Sequence, residues 1–592
     1  MNTNFLKTSF THIPASLRLA WAASPSASVG IAILTVFSAL LPLSIAYVGK
    51  LIVDSVVAGS RPLTEQWVFA ELGLVAAQAL VQRLLFLMRA QLGAKLGLDV
   101  NIKILEKALT LELSHFENSE FYDQLTKARR EASSRPVAMV TDILQLVQNV
   151  LTLAGYVALL VAFSKWAILA LVVAALPATI AEMKFSNTAF RIRNWRSADS
   201  RRLNYVEYVL ATDTHAKEVK ALGLGPMLME RYKKTGKQFY EEDKKLSIRR
   251  SAWAYGLSLL ALAAFYGCYL LIAVAAATGT MTLGMMTLYV VAFRQGQQAF
   301  QSCLTAVGSM YEHNLYMSNL FEYFAIPIVQ RKRDPSPAVS GERGLRFENV
   351  GFQYPGQKDW ALRGITLQIP QGQSLALVGH NGAGKTTLIK LLTRLYDPTE
   401  GAIYLDGKDL KHWDDVELRR RISVVFQDFN KYQLSLGENI GLGSVDYLED
   451  QPRIENALAL SGGTEILKSL PDGLKTPLGR WFLDGLELSG GQWQKVALAR
   501  AFMREEADIL ILDEPTAALD AEAEHAVFER FRELTKGRTS ILISHRFPTV
   551  RMADRIIMIE GGKIVEQGTH DSLVTQQGRY AKLFALQAQG YL

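Results

Sequence analysis

The chain has 592 residues, of which 49% are hydrophobic and 20% are charged, and its formal net charge is +7. This length argues against a single domain. The two cysteines both lie in apolar segments, which argues against a disulfide framework or a cysteine metal site. The positive charge is better explained by the cytoplasmic loops of a membrane protein than by nucleic-acid binding. We therefore expect no nucleic-acid partner.

Six membrane-spanning helices are expected in residues 1–325. Helix 1 is predicted at residues 29–53, because this stretch is longer than the roughly 20 apolar residues that a span needs. Helix 2 is expected from about Trp67 and continues as a polar helix. Residues 147–180 predict a hairpin of helices 3 and 4. Residues 251–293 carry no charge and predict a second hairpin, helices 5 and 6.

The distribution of lysine and arginine predicts the topology. The long connections after helices 2 and 4 are rich in basic residues, whereas the other three connections are short and nearly free of them. The positive-inside rule then places both long connections and both termini in the cytoplasm. The first apolar segment is too long for a secretory signal. Because no organelle-targeting presequence is recognised, we expect a multi-pass protein of a bacterial inner membrane.

A polar stripe interrupts helix 6. Its members are Arg294, Gln297, Gln298 and Gln301. Their spacing places them on one helix face, and such a face is costly against lipid, so it should look into the bundle or a water-filled cavity. The stripe is either a substrate-contacting wall or a polar surface that bonds neighbouring helices, and the sequence favours neither interpretation.

A soluble α/β domain is expected at residues 344–592, after a linker at residues 326–343. Residues 374–378 predict a buried strand, and residues 388–392 predict the start of a helix. Between them lies a glycine-rich loop with the pattern of a phosphate-binding loop. The predicted nucleotide-binding residues are Gly379, His380, Asn381, Gly382, Ala383, Gly384, Lys385, Thr386 and Thr387. Backbone N–H groups of this loop and the helix N-terminus attract phosphate, Lys385 reaches the outer phosphates, and the Thr386 hydroxyl is a candidate Mg²⁺ ligand.

Further candidate residues follow predicted strands. Asp513 is a candidate Mg²⁺ ligand, and the next residue, Glu514, is placed to polarise an attacking water. Gln427, after another buried strand, is a candidate metal ligand or water-orienting residue, and His545 is a candidate γ-phosphate contact. Tyr354 is a candidate for stacking on adenine. A second anion site is predicted where a helix begins, at Ser489, Gly490, Gly491 and Gln492.

Taken in this order, these motifs resemble those of an ATP-binding cassette. Residues 379–386 match Walker A, Gln427 the Q-loop, residues 488–492 the signature, and residues 509–513 Walker B. The resemblance further implies a catalytic role for Glu514, His545 and Gln427 and a nucleotide contact for the D-loop residue Asp520. With six spans before it, the whole chain resembles a bacterial half-transporter of the ATP-binding cassette exporter family. The implied fold is a type IV exporter-like α-helical transmembrane domain followed by an α/β P-loop nucleotide-binding domain.

The resemblance also implies a mechanism that needs two chains. Each ATP, with Mg²⁺, would lie between the Walker A of one cassette and the signature of the other. All motifs are intact, so a homodimer is the simplest expectation, and a heterodimer is the alternative. The expected activity is ATP hydrolysis that drives export or flipping of an amphipathic lipid, peptide or drug-like molecule by alternating access. The other partner is membrane lipid.

Other functions were weighed. A soluble cassette ATPase conflicts with the uncharged hairpin at residues 251–293, and an importer conflicts with the fusion of membrane and ATPase domains. An ATP-gated channel or regulator on the same scaffold stays as an alternative. The family's coupling helices are expected near residues 119–127 and 212–220. Two departures from the family pattern are noted: residues 476–481 lack the usual glutamate, and residues 493–495 lack the usual arginines.

Overall fold

A computed structural model describes residues 12–118, 135–163, 195–328, 343–514, 537–544 and 547–589, with a few isolated positions between these ranges. The described chain divides into two compact units. The helical unit comprises Met1–Thr110 and Ser119–Pro327, and the α/β unit comprises Leu111–Asn118 and Ile328–Leu592. The short segment Leu111–Asn118 therefore belongs to the α/β unit although it lies within the sequence of the helical half.

Long helices make up the described part of the helical unit. They are α1 (Ile13–Ala23), α2 (Pro25–Val57), α3 (Arg61–Leu109), α5 (Arg135–Phe163), α6 (Ser197–Ala211), α7 (Asp213–Ala221), α8 (Gly225–Ala277) and α9 (Leu283–Ala325); the four-residue α4 (Leu113–Phe116) lies in the α/β unit. Several begin with recognisable signals. Ser24 caps α2 by accepting a hydrogen bond from the Ala27 N–H at 3.4 Å, and Pro25 occupies the first turn.

Four of these helices, α2, α3, α5 and α8, are long and apolar enough to cross a membrane. Many of their apolar side chains are exposed on the surface of the chain, which would be unfavourable in water. On α3, for example, Phe69 is 71% exposed and Phe86 is 67% exposed. This pattern is typical of lipid-facing helices, whose backbone hydrogen bonds are satisfied internally. The described helices are thus those of a multi-pass membrane protein.

The observed helices differ from the predicted ones at several points. Predicted helix 1 is longer than expected, because α2 extends from Pro25 to Val57, and helix 2 begins at Arg61 rather than near Trp67. The additional helix α1, of 11 residues, was not predicted. Predicted helix 4 is the second helix of the hairpin at residues 147–180, and residues 164–175 with 178–179 lie outside the described ranges, so six spans remain a prediction.

Two sheets build the α/β unit. The antiparallel sheet has the order β2-β1-β4-β5, and the mainly parallel sheet has the order β10-β9-β3-β8-β7-β6, with β10 antiparallel to β9. The strands are β1 (Gly344–Phe352), β2 (Leu362–Pro370), β3 (Ser374–Val378), β4 (Glu400–Leu405), β5 (Lys408–Asp409), β6 (Ile422–Val425), β7 (Ile509–Asp513), β8 (Thr539–Ile543), β9 (Arg555–Glu560) and β10 (Lys563–Gly568). β7 and β8 are buried along their whole length, which explains their continuous apolar sequences.

Helices surround these sheets. They are α10 (Lys385–Leu392), α11 (Asp415–Arg421), α12 (Leu436–Gly441), α13 (Gln451–Leu460), α14 (Thr464–Ser469), α15 (Gly490–Phe502), α16 (Phe547–Val550), α17 (His570–Thr575) and α18 (Arg579–Gln589). One large apolar core joins residues of both sheets to α10, and a second core packs α12, α13 and α14 around α15. The parallel strands β3, β6 and β7 end at the same edge of their sheet, and this edge carries the candidate site. Of the predicted linker, residues 329–342 lie outside the described ranges.

Candidate active site

The phosphate-binding loop connects β3 to α10, as predicted. Gly384 has a φ of 106°, in the left-handed region that only glycine adopts easily. A Cβ at this position would lie 2.6 Å from the Leu362 Cδ2 atom, and one at Gly379 would lie 2.3 Å from the Ile559 carbonyl oxygen. Both glycines are therefore required by backbone conformation or close approach, and they let the loop turn tightly into the N-terminus of α10.

Lys385 is the first residue of α10, and its side chain lies back across the loop. Its ammonium donates hydrogen bonds to the carbonyl oxygens of Gly379, at 2.7 Å, and His380, at 3.1 Å. Burial lowers the pKa of Lys385, and the nearby carboxylates of Glu514 and Asp513 oppose this effect. The loop thus holds a buried cation at the N-terminus of a helix, an arrangement suited to phosphate.

Thr386 and Asp513 meet at the end of β7. The Thr386 hydroxyl donates a hydrogen bond to the Asp513 carboxylate at 3.1 Å. Burial raises the pKa of Asp513 to about 6, while the hydrogen bond from Thr386 lowers it. A hydroxyl beside a buried carboxylate is a set of hard oxygen donors, the kind that Mg²⁺ prefers.

Glu514 and Gln427 also meet in this site. The Gln427 side-chain N–H donates to the Glu514 carboxylate at 2.8 Å. Glu514 has a φ of 49°, which is uncommon for a residue other than glycine, and its N–H donates to the Ile543 carbonyl at 2.9 Å. Such backbone conformations cost about 1–3 kcal/mol and cluster at functional sites. The chain therefore holds this carboxylate in one place at an energetic cost.

These residues line one cavity of about 490 Å³. The lining includes Asn381, Gly382, Ala383, Gly384, Lys385, Thr386, Thr387, Gln427, Asp513, Glu514 and Tyr354. Tyr354 shares a 3.1 Å hydrogen bond with the Thr387 hydroxyl and packs edge-on against Phe352. Asp359 and Trp360 line the same cavity. Neither residue was predicted from the sequence, where the only signal is an aromatic residue in the turn after Tyr354.

The signature residues lie elsewhere in the α/β unit. Ser489 caps α15: its hydroxyl accepts the Gln492 N–H at 3.3 Å, and the Gln492 carboxamide accepts the Ser489 N–H at 2.9 Å. None of Ser489, Gly490, Gly491 or Gln492 is among the residues that line the cavity of the phosphate-binding loop. One chain therefore presents the two halves of the predicted site apart from each other. His545 and Asp520 lie outside the described residues.

The polar stripe on α9 faces away from those helices of its own chain that the structure describes. Arg294, Gln298 and Gln301 are exposed and Gln297 is half-buried, whereas neighbouring residues such as Phe293 are buried. Within the described chain, then, the stripe does not pack inside the bundle, which was one of the two expected positions. A water-filled pathway remains its predicted environment.

A segment from the connection that follows α3 is built into the α/β unit. Leu113 packs against the large core, and Glu117 accepts a hydrogen bond from the Lys390 ammonium at 2.8 Å and another from the Tyr396 hydroxyl. We call these three polar residues, Glu117, Lys390 and Tyr396, the Glu117 bridge. The Lys390 ammonium also lies 5.4 Å from the centre of the Tyr354 ring. The bridge therefore adjoins the tyrosine of the cavity. The expected coupling helix near residues 119–127 falls mostly outside the described residues, and the helical turn seen here, α4, lies earlier.

Replacing Glu117 with glutamine should loosen this segment. Burial alone would raise the pKa of Glu117, but hydrogen bonds from Lys390 and Tyr396 outweigh burial and lower it. A carboxylate bridge at a partly exposed site contributes about 1 kcal/mol, so we expect amides of residues 113–118 to exchange about fivefold faster in Glu117→Gln. Because the pKa is lowered, the stabilisation is present at neutral pH and is lost as the pH falls through the folded-state pKa. The double variant Glu117→Lys with Lys390→Glu reverses both charges and should restore slow hydrogen exchange. Unchanged hydrogen-exchange rates in Glu117→Gln would contradict the bridge.

Trp493 explains one departure from the family pattern. Its side chain is fully buried in the core around α15, and its indole N–H donates to the Glu487 carboxylate at 3.0 Å. Trp493→Ala should cost about 3–5 kcal/mol locally, measured as faster hydrogen exchange of amides in Gly490–Phe502. The matched control is Trp481→Ala, because Trp481 is 82% exposed and its loss should change local stability by less than about 0.5 kcal/mol. Equal effects in the two variants would be inconsistent with this packing.

Taken together, the fold and cavity define a phosphate-loop ATPase joined to membrane-spanning helices. A family model described as ABC transporter matches residues 362–517. The chain is 32% identical over 552 residues to the subtilin transport ATP-binding protein SpaT of Bacillus subtilis, covering 93% of this chain and 90% of SpaT. It is 31% identical over 501 residues to an ATP-dependent lipid A-core flippase of Thiobacillus denitrificans, covering 84% and 85% of the two chains. A solved structure of a bacterial Atm1-family ABC exporter with ATP bound shares the fold, with a TM-score of 0.77, 24% identity and coverage of 95% of this chain and 98% of that chain.

The chain therefore belongs to the ATP-binding cassette (ABC) transporter family, as an exporter-type half-transporter. It binds ATP and is an ATP hydrolase coupled to transmembrane transport. The resemblance inferred from the motifs is confirmed.

Proposed function

We propose that two copies of this chain form a homodimer that exports an amphipathic peptide across a bacterial inner membrane. The observation that carries this proposal is the separation of the site into two halves. One chain brings Lys385, Thr386, Asp513, Glu514 and Gln427 to a single cavity, while its signature residues lie outside that cavity. A second copy supplies the missing signature by symmetry, and each chain then completes the site of the other.

Each residue has a proposed role in ATP hydrolysis. Lys385 exchanges its two carbonyl contacts for phosphate oxygens, and the N–H groups of the loop bind the remaining phosphate charge. Glu514 polarises the attacking water, and Gln427, which contacts it at 2.8 Å, orients the carboxylate. His545 contacts the γ-phosphate, Tyr354 stacks on adenine, and Asp520 contributes to the nucleotide interface.

Mg²⁺ fits the donor set in this cavity. We propose that the Thr386 hydroxyl, the Asp513 carboxylate and the Gln427 carboxamide hold the ion, since all three line the same space. When bound, the ion neutralises charge on the phosphates during transfer. The carboxylate of Asp513 is buried, 2% exposed, so a bound cation would add to the compensation of its charge that Lys385 provides.

Transport follows from a change in cassette separation. ATP binds better between closed cassettes than to open ones, and only this difference in affinity shifts the equilibrium. The cytoplasmic connections transmit closure to the membrane helices, which alternate access between the two sides. This scheme takes residues 1–325 as the transmembrane domain, 326–343 as the linker and 344–592 as the nucleotide-binding domain, with both termini in the cytoplasm. The stripe of Arg294, Gln297, Gln298 and Gln301 lines the substrate pathway.

A peptide cargo is favoured by SpaT, a relative named for subtilin transport that aligns over 93% of this chain and 90% of its own. A lipid cargo is the second candidate, because the lipid A-core flippase of Thiobacillus denitrificans aligns over 85% of its length at a similar identity. The test is ATP-dependent uptake of a fluorescent amphipathic peptide into inside-out proteoliposomes that contain only this chain.

Uptake that requires ATP and is lost in Glu514→Gln would support a self-sufficient peptide exporter. ATP-dependent movement of a labelled lipid between leaflets, without peptide uptake, would replace the peptide by the lipid cargo. ATP binding without hydrolysis by the purified chain would favour a heterodimer. An ATP-dependent ionic current without uptake would favour a channel.

A further inference from the structure

A second cavity lies within the helical unit. Its volume is about 410 Å³, within the range of small-molecule sites, and it is lined by residues of α2, α3, α5 and α9. Four polar side chains from three helices converge on it: Lys50, Glu71, Gln78 and Gln295. The rest of the lining includes apolar groups such as Pro42. The cavity therefore combines an apolar wall with one positive charge, one negative charge and two carboxamides.

These polar groups have few partners among the residues that the structure describes. The side chains of Glu71, Gln78 and Gln295 form no hydrogen bond or ion pair with any described residue. The Lys50 ammonium lies over the Tyr47 ring at 5.4 Å and forms no ion pair with Glu71 or any other described carboxylate. Ionisable groups within membrane-spanning helices are expensive and usually serve a function. Mutual neutralisation, the simplest structural explanation, is thus not what the geometry shows.

The cavity lies at one end of the helical unit. Lys50 is near the C-terminal end of α2, Glu71 is near the beginning of α3, and Gln295 is in the first half of α9. With both termini in the cytoplasm, as proposed above, this end is the outer one. A ligand in this cavity would occupy the side on which an exporter releases its cargo.

We propose that this cavity is a release-side binding site for a zwitterionic segment of the exported peptide. The proposal rests on the proposed function and names the contacts that the peptide makes there. Lys50 binds a carboxylate of the peptide, Glu71 binds an ammonium, and an apolar side chain lies against the wall that contains Pro42. Gln78 and Gln295 donate and accept hydrogen bonds to the peptide backbone, which has both kinds of group.

The test pairs changes in the protein with changes in the peptide. The full chain is placed in lipid discs, where both membrane faces are accessible, and binding of dansyl-labelled amphipathic peptides is measured without ATP. One peptide carries one lysine and one glutamate, two others carry glutamine at one of these positions, and the last carries glutamine at both. The wild-type chain should bind the zwitterionic peptide about tenfold more tightly than the neutral one, the scale of one charge-assisted hydrogen bond.

The variants then assign each contact. In Glu71→Gln, the lysine of the peptide should no longer increase the binding affinity. In Lys50→Gln, the glutamate of the peptide should no longer increase it. Both variants should bind the neutral peptide with the wild-type affinity. The exchanged variant, Lys50→Glu with Glu71→Lys, should recover the preference, which shows that charge and not fold was altered. The control is Glu65→Gln, a nearby exposed carboxylate that pairs with Arg61 and does not line the cavity.

If both single variants keep the wild-type preference for the zwitterionic peptide, the proposed site is wrong, but the proposal of peptide export is not affected. The site would also be overturned if both single variants bound all four peptides equally weakly and the exchanged variant did not recover binding. If no peptide binds the wild-type chain but phosphatidylethanolamine in the discs stimulates its ATPase through Lys50 and Glu71, the occupant is a lipid. That result would remove the peptide proposal as well.

Discussion

Glu514→Gln should bind ATP normally and hydrolyse it about 10²-fold more slowly or worse, the scale of losing a general base. Glutamine has the same shape, so the Gln427 contact at 2.8 Å and the unusual backbone at φ 49° face no new clash. What changes is that the side chain no longer accepts a proton from water. The closed dimer should therefore accumulate with ATP trapped inside.

The measurement is steady-state Mg-ATPase of the purified chain in lipid discs, together with retention of labelled ATP after gel filtration. The matched control is Glu465→Gln, because Glu465 is an exposed carboxylate of the same α/β unit, paired only with Lys468 in the described chain. Near-normal hydrolysis in Glu514→Gln would remove Glu514 from its proposed role. Slow hydrolysis without ATP retention would point to a damaged binding site instead.

Lys385→Ala should act one step earlier, on nucleotide affinity. The side chain is 6% exposed and offers its ammonium at the loop, where each charge-assisted hydrogen bond to phosphate contributes about 1.5–3 kcal/mol. We expect the Kd for ATP to rise by about 10²-fold, with hydrolysis falling in parallel at limiting ATP. Binding of a fluorescent ATP analogue measures this directly.

Two controls separate lost affinity from lost structure in Lys385→Ala. Lys563→Ala removes an exposed lysine from β10 and should leave the Kd unchanged. Hydrogen exchange of amides in Lys385–Leu392 reports whether α10 still forms, since Lys385 also bonds the loop carbonyls. An unchanged Kd with an intact helix would mean that the phosphates are held by backbone groups alone.

Much of the α/β unit follows from local sequence. The predicted strand at residues 374–378 is β3, and Asp513 ends β7 as expected, because buried parallel strands read as short apolar runs with polar residues at their ends. Gly379 and Gly384 specify the turn of the phosphate-binding loop, because neither position leaves room for a Cβ. Local chemistry of this kind is visible in one stretch of sequence.

Contacts between distant residues were not visible. Glu117 and Lys390 are 273 positions apart in sequence, and nothing near either residue indicates the other. Likewise, neither Lys50 nor Glu71 was predicted as a site residue, because their convergence with Gln295 depends on how three helices pack. The stripe on α9 was predicted from periodicity. Which face of α9 packs against the rest of the chain depends on the tertiary packing of Phe293 and its neighbours, which the sequence did not show.

The position of Leu111–Asn118 has a consequence for recombination between transporters. The structural module that binds nucleotide is discontinuous in sequence, since it takes eight residues from within the membrane half. A chimera joined at residue 344 alone would pair a foreign segment with Lys390 and Tyr396, and would set a foreign side chain in the place of Leu113 against the core. Functional exchange of cassettes between relatives therefore requires a compatible residue at 117, and new pairings of membrane and nucleotide domains are restricted to partners that share this bridge.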